Sequence, residues 1–165
     1  MKLHQGKIRA FLVRLCKNFD RTDDLAQETF LLAYRKLNDY TGIGSFSSWL
    51  FKIAYNCFLQ DQRARNRRLE VMDNYQQQFE LAEDRYDSIS PAQVDLERAM
   101  THLNSGEIAS ISLCYGYGLS HTEASDILQI PLGTVKTNIL RGKDKLRELL
   151  AYDSINSTPR REKEE

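Results

Sequence analysis

The chain has 165 residues, 41% of them apolar, and 23 lysines and arginines balanced by 23 aspartates and glutamates. That length suits one ordinary domain or two small ones; no apolar run approaches the roughly 20 residues that span a bilayer, which excludes membrane insertion. The neutral total hides a division: residues 1–68 carry 13 basic and 6 acidic side chains, whereas residues 69–98 carry 2 and 8.

Almost nothing alternates with period two, and Ile8, Phe11, Leu12, Leu15 and Cys16 follow the i, i+3, i+4, i+7, i+8 stripe of a half-buried helix. Lys7, Arg9 and Arg14 interrupt this segment, so it lacks the apolar stretch of a secretion signal and points to a cytoplasmic protein. Thr22 can cap a second helix with Asp23 and Asp24 in its first turn and Leu25, Ala26, Phe30, Ala33 and Leu37 on its apolar face. Tyr40-Thr41-Gly42-Ile43-Gly44 breaks it. A third helix starts within Ser45 to Ser48 and runs to about Arg67, with Trp49, Leu50, Ile53, Ala54 and Phe58 as its buried set. Its basic end, Arg63, Arg65, Arg67 and Arg68, suits either a polyanion or simply the negative end of the helix dipole.

The acidic stretch that follows, with Gln76-Gln77-Gln78 and few aliphatic residues, reads as a linker. Ser90-Pro91 opens a further helix through Val94, Ala99, Met100 and Leu103, and Ser105 can cap another that stops at Gly116-Tyr117-Gly118. Ser120-His121-Thr122-Glu123 is a capping box, and its short helix ends before Ile130-Pro131. Gly133-Thr134 then leads into a helix that buries Val135, Ile139, Gly142 and Leu146 and shows Lys136, Asn138, Arg141, Lys143 and Lys145 on its free face. Two helices separated by a tight turn, the second basic on its open side, form a helix-turn-helix whose second member can enter a major groove. Residues 151–165 read as a disordered polar tail.

Cys16, Cys57 and Cys114 are odd in number and widely spaced, which argues against a disulfide framework or a thiolate metal site. His4, His102 and His121 fall on separate elements with no partner for acid–base work, and no glycine-rich phosphate loop follows a strand, so neither catalysis nor a cofactor is expected.

The two halves together resemble a small bacterial sigma factor of the extracytoplasmic-function (ECF) group within the sigma-70 family. The first match is Asp23-Asp24-Leu25-Ala26-Gln27-Glu28-Thr29-Phe30-Leu31-Leu32-Ala33-Tyr34 with Phe46-Ser47-Ser48-Trp49-Leu50-Phe51-Lys52-Ile53-Ala54-Tyr55-Asn56 and Asp61-Gln62-Arg63. The second is Gly118-Leu119-Ser120-His121-Thr122-Glu123-Ala124 with Ile130-Pro131-Leu132-Gly133-Thr134-Val135-Lys136-Thr137 and Lys145-Leu146-Arg147-Glu148. The resemblance implies an all-α protein: an N-terminal three- to four-helix bundle over 1–68 (sigma region 2), an acidic linker over 69–90, and a C-terminal helix-turn-helix bundle over 91–150 (sigma region 4). It implies binding to core RNA polymerase, to double- and single-stranded promoter DNA, and to an anti-sigma factor.

By this resemblance, Asp24, Gln27, Glu28 and Thr29 meet the polymerase, while Asp23 serves its own helix. The loop Tyr40 to Ser47, with Tyr40, Gly42 and Phe46, captures a flipped base of the minus-ten element. Glycine lets backbone approach a base, and aromatic stacking on a base is worth roughly 1–3 kcal/mol. Trp49 reads as core. Asn56, Gln60, Asp61 and Arg63 form a polar strip for the same element, with Arg63, Arg65, Arg67 and Arg68 gripping phosphates; alternatively Asp61 pairs with Arg65 one helical turn away. Thr134, Lys136, Thr137, Asn138 and Arg141 meet the minus-thirty-five element. Against the family's usual pattern, Ser125 and Gly142 replace alanine, Gln129 replaces glycine and Asn138 replaces a basic residue. A stand-alone helix-turn-helix regulator is the competing reading, and it leaves the first seventy residues without a role.

Overall fold

The computed structural model describes residues 2–42, 44–71 and 91–156. Seven α-helices and no strand occur among them: α1 (Lys2–Cys16), α2 (Phe19–Arg35), α3 (Phe46–Val71), α4 (Pro91–Met100), α5 (Ser105–Ile111), α6 (His121–Leu128) and α7 (Leu132–Asn156). The body of the expected linker and the last nine residues lie outside the described set, whereas residues 151–156, expected to be disordered, continue α7 as helix.

Helices α1, α2 and α3 form the first bundle. The predicted stripe Ile8, Phe11, Leu12, Leu15 and Cys16 is buried, against Leu25, Ala26 and Ala33 of α2 and Leu50, Ile53, Ala54 and Phe58 of α3. Helix α2 starts one turn earlier than Thr22 suggested. Asn18, not Thr22, is the cap: its side chain accepts from the Arg21 amide at 2.9 Å, and Asp20 occupies the first turn. Thr22 is fully buried, its hydroxyl donating to the Asn18 carbonyl at 2.7 Å. Trp49 is half-buried at the edge of the core rather than inside it.

The second bundle packs α5 and α4 against α7 and sets α6 across them. Pro91 opens α4 as predicted. Asn104, not Ser105, caps α5 in a full capping box with Glu107, and a π-helical turn over Ser112–Gly116 follows. Glu107 is 2% exposed; its carboxylate is satisfied by the Asn104 amide at 3.0 Å and the Lys145 ammonium at 2.8 Å. The missing side chain of Gly142 is used. A Cβ there would lie 2.5 Å from Ile111 Cδ1 and 3.2 Å from Leu103 Cδ2, so the glycine brings α7 close to α5.

The bundles pack on each other, α6 against α3 and α5 against α1. Tyr117 is the wedge: its ring lies 4.6 Å from Phe51 and 6.2 Å from Phe11, and its hydroxyl donates to the Lys7 carbonyl at 3.0 Å. Burial pushes that phenol's pKa up. Arg14 holds Glu97 through two donors, the shorter at 2.6 Å, and Lys17 donates to the Thr101 and Leu103 carbonyls. The Arg14 guanidinium is raised by its hydrogen bond to Glu97, and burial pulls the Lys17 ammonium down.

Candidate nucleic-acid and polymerase interface

Asp24, Gln27 and Glu28 are exposed on α2 at helical spacing, and Leu31, 59% exposed, continues their row. Thr29 is a correction: it is fully buried, its hydroxyl donating to the Leu25 carbonyl at 2.7 Å, so it supports the core and cannot meet a partner. Beside the row runs a groove of about 790 Å³ bounded by Gln27, Phe30, Leu31 and Tyr34 of α2 and by Gln5 and Arg9 of α1. Tyr34 is 71% exposed. The sequence reading missed Leu31 and Tyr34, although Phe30-Leu31-Leu32-Ala33-Tyr34 signalled them: five consecutive apolar residues cannot all fit one buried helix face. Arg9, at the rim, is ion-paired with Asp23 at 2.6 Å, which raises its pKa.

The loop between α2 and α3 folds over an aromatic cluster. The Tyr40, Phe46 and Trp49 rings lie 5.3–5.4 Å apart, and His4 stacks on Phe46 at 5.4 Å. Gly42 and Gly44 have φ of 74° and 78°, which side chains disfavour, and the Tyr40 hydroxyl closes the loop on the Gly44 carbonyl at 3.1 Å. Ser45 starts α3, its hydroxyl accepting from the Ser48 amide at 3.0 Å. All three rings are half-buried, so one face is held while an edge stays open.

Along α3 the expected polar strip divides. At about 100° per residue, Gln60, Arg63 and Arg67 lie within roughly 40° of Asn56, whereas Asp61 and Arg65 lie about 140° and 180° away. Asn56 is half-buried and Gln60, Arg63 and Arg67 are exposed, forming one open row. Asp61 pairs with Arg21 of α2 rather than with Arg65. Arg65 turns toward the cleft between the bundles, where it stands near Leu103, Asn104 and Ser105.

In the second bundle the capping box at α6 is present as predicted: the Ser120 hydroxyl accepts from the Glu123 amide, and the Glu123 carboxylate accepts from the Ser120 amide at 2.9 Å. The Ser120 amide and hydroxyl, both donating to it, hold the Glu123 carboxyl below its ordinary pKa. Gln129 adopts φ 55°, ψ 41°, the left-handed conformation glycine would take more easily. Ser125 tethers the turn, its hydroxyl donating to the Ile130 carbonyl at 2.6 Å. On α7, Val135, Ile139, Gly142 and Leu146 are buried as expected, and Thr134, Lys136, Thr137 and Arg141 are exposed.

Two members of the expected free face are diverted. Asn138 turns toward α5, its amide 3.5 Å from the Ser110 hydroxyl, and Lys145 serves Glu107. Lys143 leans over the Tyr115 ring at 5.0 Å. Leu140, 61% exposed among Lys136, Thr137 and Arg141, was missed; it offers an apolar surface of the kind that meets a thymine methyl.

Among the described residues no helix is long and apolar enough to cross a membrane. Residues 1–68 match the sigma-70 region 2 family model and residues 93–146 match that of sigma-70 region 4. The ECF RNA polymerase sigma factor SigE of Mycolicibacterium smegmatis is 32% identical over 158 residues; the match spans 93% of this chain but only 61% of that relative. The ECF RNA polymerase sigma factor EcfG of Rhodopseudomonas palustris is 31% identical over 88% of this chain and 80% of its own length. Among solved structures, the sigma factor RpoE of Bartonella quintana, determined in complex with the anti-sigma factor NepR, aligns with a TM-score of 0.78 at 28% identity, covering 92% of this chain and 94% of RpoE. Two helical modules in this order, matched by both family models and by a relative aligned over 80% of its own length, place the chain in the sigma-70 family of RNA polymerase sigma factors, as a member of its ECF group.

Proposed function

We infer that the chain binds core RNA polymerase, carries it to promoters and assists strand separation. The observation that carries this reading is the presence, on one chain, of an aromatic loop beside an open Asn/Gln/Arg row and a helix-turn-helix with a basic outer face. The exposed row Asp24, Gln27, Glu28 and Leu31, with the groove to Tyr34, supplies the polymerase contact; polar rims around exposed apolar anchors are typical of such interfaces.

Tyr40 and Phe46 receive a flipped minus-ten base, with Gly42 letting the strand approach. Asn56 and Gln60 offer donors and acceptors to base edges, while Arg63 and Arg67 hold phosphate. Thr134, Lys136, Thr137, Leu140 and Arg141 address the minus-thirty-five element. Nucleotide addition belongs to the polymerase in this scheme, and the chain contributes recognition and strand opening. A polymerase partner places it in the cytoplasm. An anti-sigma factor is a fitting regulator, supported by the complex in which RpoE was solved.

Run-off transcription with purified core polymerase and a genomic promoter library tests the reading. Selective initiation that depends on added chain is the expected result. Promoter binding without polymerase association would favour the stand-alone regulator instead, and initiation no more selective than by core enzyme alone would refute the proposal.

A further inference from the structure

The cleft between the two bundles is not a surface the promoter-binding scheme uses. It encloses about 500 Å³, within the range of small-molecule sites, and its walls come from both modules: Lys17, Arg21, Gln62, Arg65 and Asn66 on one side, Leu103 to Ser105 on the other. Among the described residues, three cations line it and no carboxylate does.

Arg21 is held in place by Asp61 through one terminal nitrogen, and among the described residues its buried Nε has no hydrogen-bond partner. That nitrogen is sealed from the cleft, so the grip falls to the part of the side chain that stays open, Arg21 being 22% exposed. Arg65 lies on the side of α3 opposite Asn56, so it cannot share a DNA backbone with the Asn56, Gln60 and Arg63 row. Phe58 and Ile108 form an apolar floor, which excludes water from one side of the cavity and strengthens the charges on the other.

We propose that this cleft is a binding site for a small phosphate-bearing anion, gripped by Arg21 and Arg65 with Gln62 and Asn66 as amide donors. Guanidinium forks match the geometry of phosphate oxygens, and the paired donors make the contact charge-assisted. Because the site exists only while both walls are together, an occupant stabilises the packed arrangement of the bundles by linkage and opposes their separation over a promoter.

The probe is inorganic pyrophosphate, added to the full-length chain at fixed ionic strength and followed by calorimetry and by thermal unfolding, with ATP and GTP as parallel arms to distinguish a nucleotide from the bare anion. Saturable binding with a raised Tm is expected, and roughly tenfold or greater weakening in Arg65→Gln, whose own Tm without ligand stays near that of the parent. Gln62→Ala should weaken binding as well, and Arg147→Gln, an exposed charge elsewhere, should not. Tighter binding of ATP and GTP than of pyrophosphate would assign the site to a nucleotide. No effect of any of the three beyond that of chloride at equal ionic strength overturns the proposal, as does equal weakening by Arg65→Gln and Arg147→Gln, which would mean unspecific attraction to charge. Pyrophosphate binding is read without polymerase, so its failure leaves the transcription reading intact, and the reverse also holds.

Discussion

Replacing Gly142 by alanine sets two effects of known size against each other. Helix propensity alone favours alanine by about 1 kcal/mol in a helix interior. The added Cβ, however, would sit 2.5 Å from Ile111 Cδ1 and 3.2 Å from Leu103 Cδ2, well inside contact distance, and Glu107 Cβ stands 3.4 Å away. Ile111 and Leu103 are themselves buried, so neither methyl can swing into solvent. Overpacking of this kind costs typically 1–3 kcal/mol. The net expectation for Gly142→Ala is a loss of about 0–2 kcal/mol despite the better helix former. Ile111→Val removes the nearest methyl and alone costs about 0.5–1.5 kcal/mol. Combined, the two changes should be less harmful than their sum by about 1 kcal/mol or more, because the clash disappears when Cδ1 does. Urea unfolding of the four proteins of this cycle, followed by far-ultraviolet circular dichroism, measures the coupling. Additivity within about 0.3 kcal/mol, or a more stable Gly142→Ala single variant, would refute the steric account of why glycine stands there.

Further expectations follow from individual side chains. Arg63→Ala should lower the salt dependence of promoter binding by close to one phosphate, whereas Arg65→Ala should leave it unchanged; equal effects would contradict the division of α3 into two faces. Tyr34→Ala should weaken core polymerase binding by about tenfold or more in a competition assay, with thermal stability unaltered because the ring is largely exposed. Glu123→Ala should cost about 0.5–1 kcal/mol at pH 7. Since the Ser120 donors hold the Glu123 carboxyl below its ordinary value, that stabilisation is present throughout the neutral range and is lost as pH falls through the lowered pKa. Urea midpoints of parent and variant should therefore converge in acid, and a constant gap would count against the cap. Burial pushes the Cys16 thiol to about 11, so iodoacetamide at neutral pH should modify the partly exposed Cys114 first and reach Cys16 only on unfolding; equal native rates would contradict its burial.

The elements most legible in the sequence were those defined by near neighbours. The Ile8 to Cys16 stripe, the Ser120 capping box and the Val135 to Leu146 face each involve residues within a few helical turns, and all stand where their spacing placed them. The caps of α2 and α5 were misread because Asn18 and Thr22, or Asn104 and Ser105, are equally competent locally. Burial of Thr22 against the other helices decided between the first pair. Thr29 was misassigned for a related reason, since a hydroxyl can satisfy itself on the Leu25 carbonyl and pass as apolar. Asp61 was placed on the DNA strip because its partner, Arg21, lies forty residues earlier, beyond the reach of any local pattern. Spacing of five residues also reads as adjacency on paper but turns a side chain well around the helix. The packing of one bundle on the other left no signature that periodicity could reveal: Tyr117 looked like part of a helix-ending glycine turn, and its insertion beside Phe11 and Phe51 became visible only in three dimensions.

That insertion shapes what happens when the halves part. Phe11 is fully enclosed and Phe51 nearly so, and both owe some of that shelter to a ring supplied by the other half of the chain. Withdrawing the ring bares a greasy dimple on the front module and takes from the Lys7 carbonyl the donor it has beyond its own helix. Water covers such a spot poorly, so parting the halves carries a cost that any body covering the dimple would relieve.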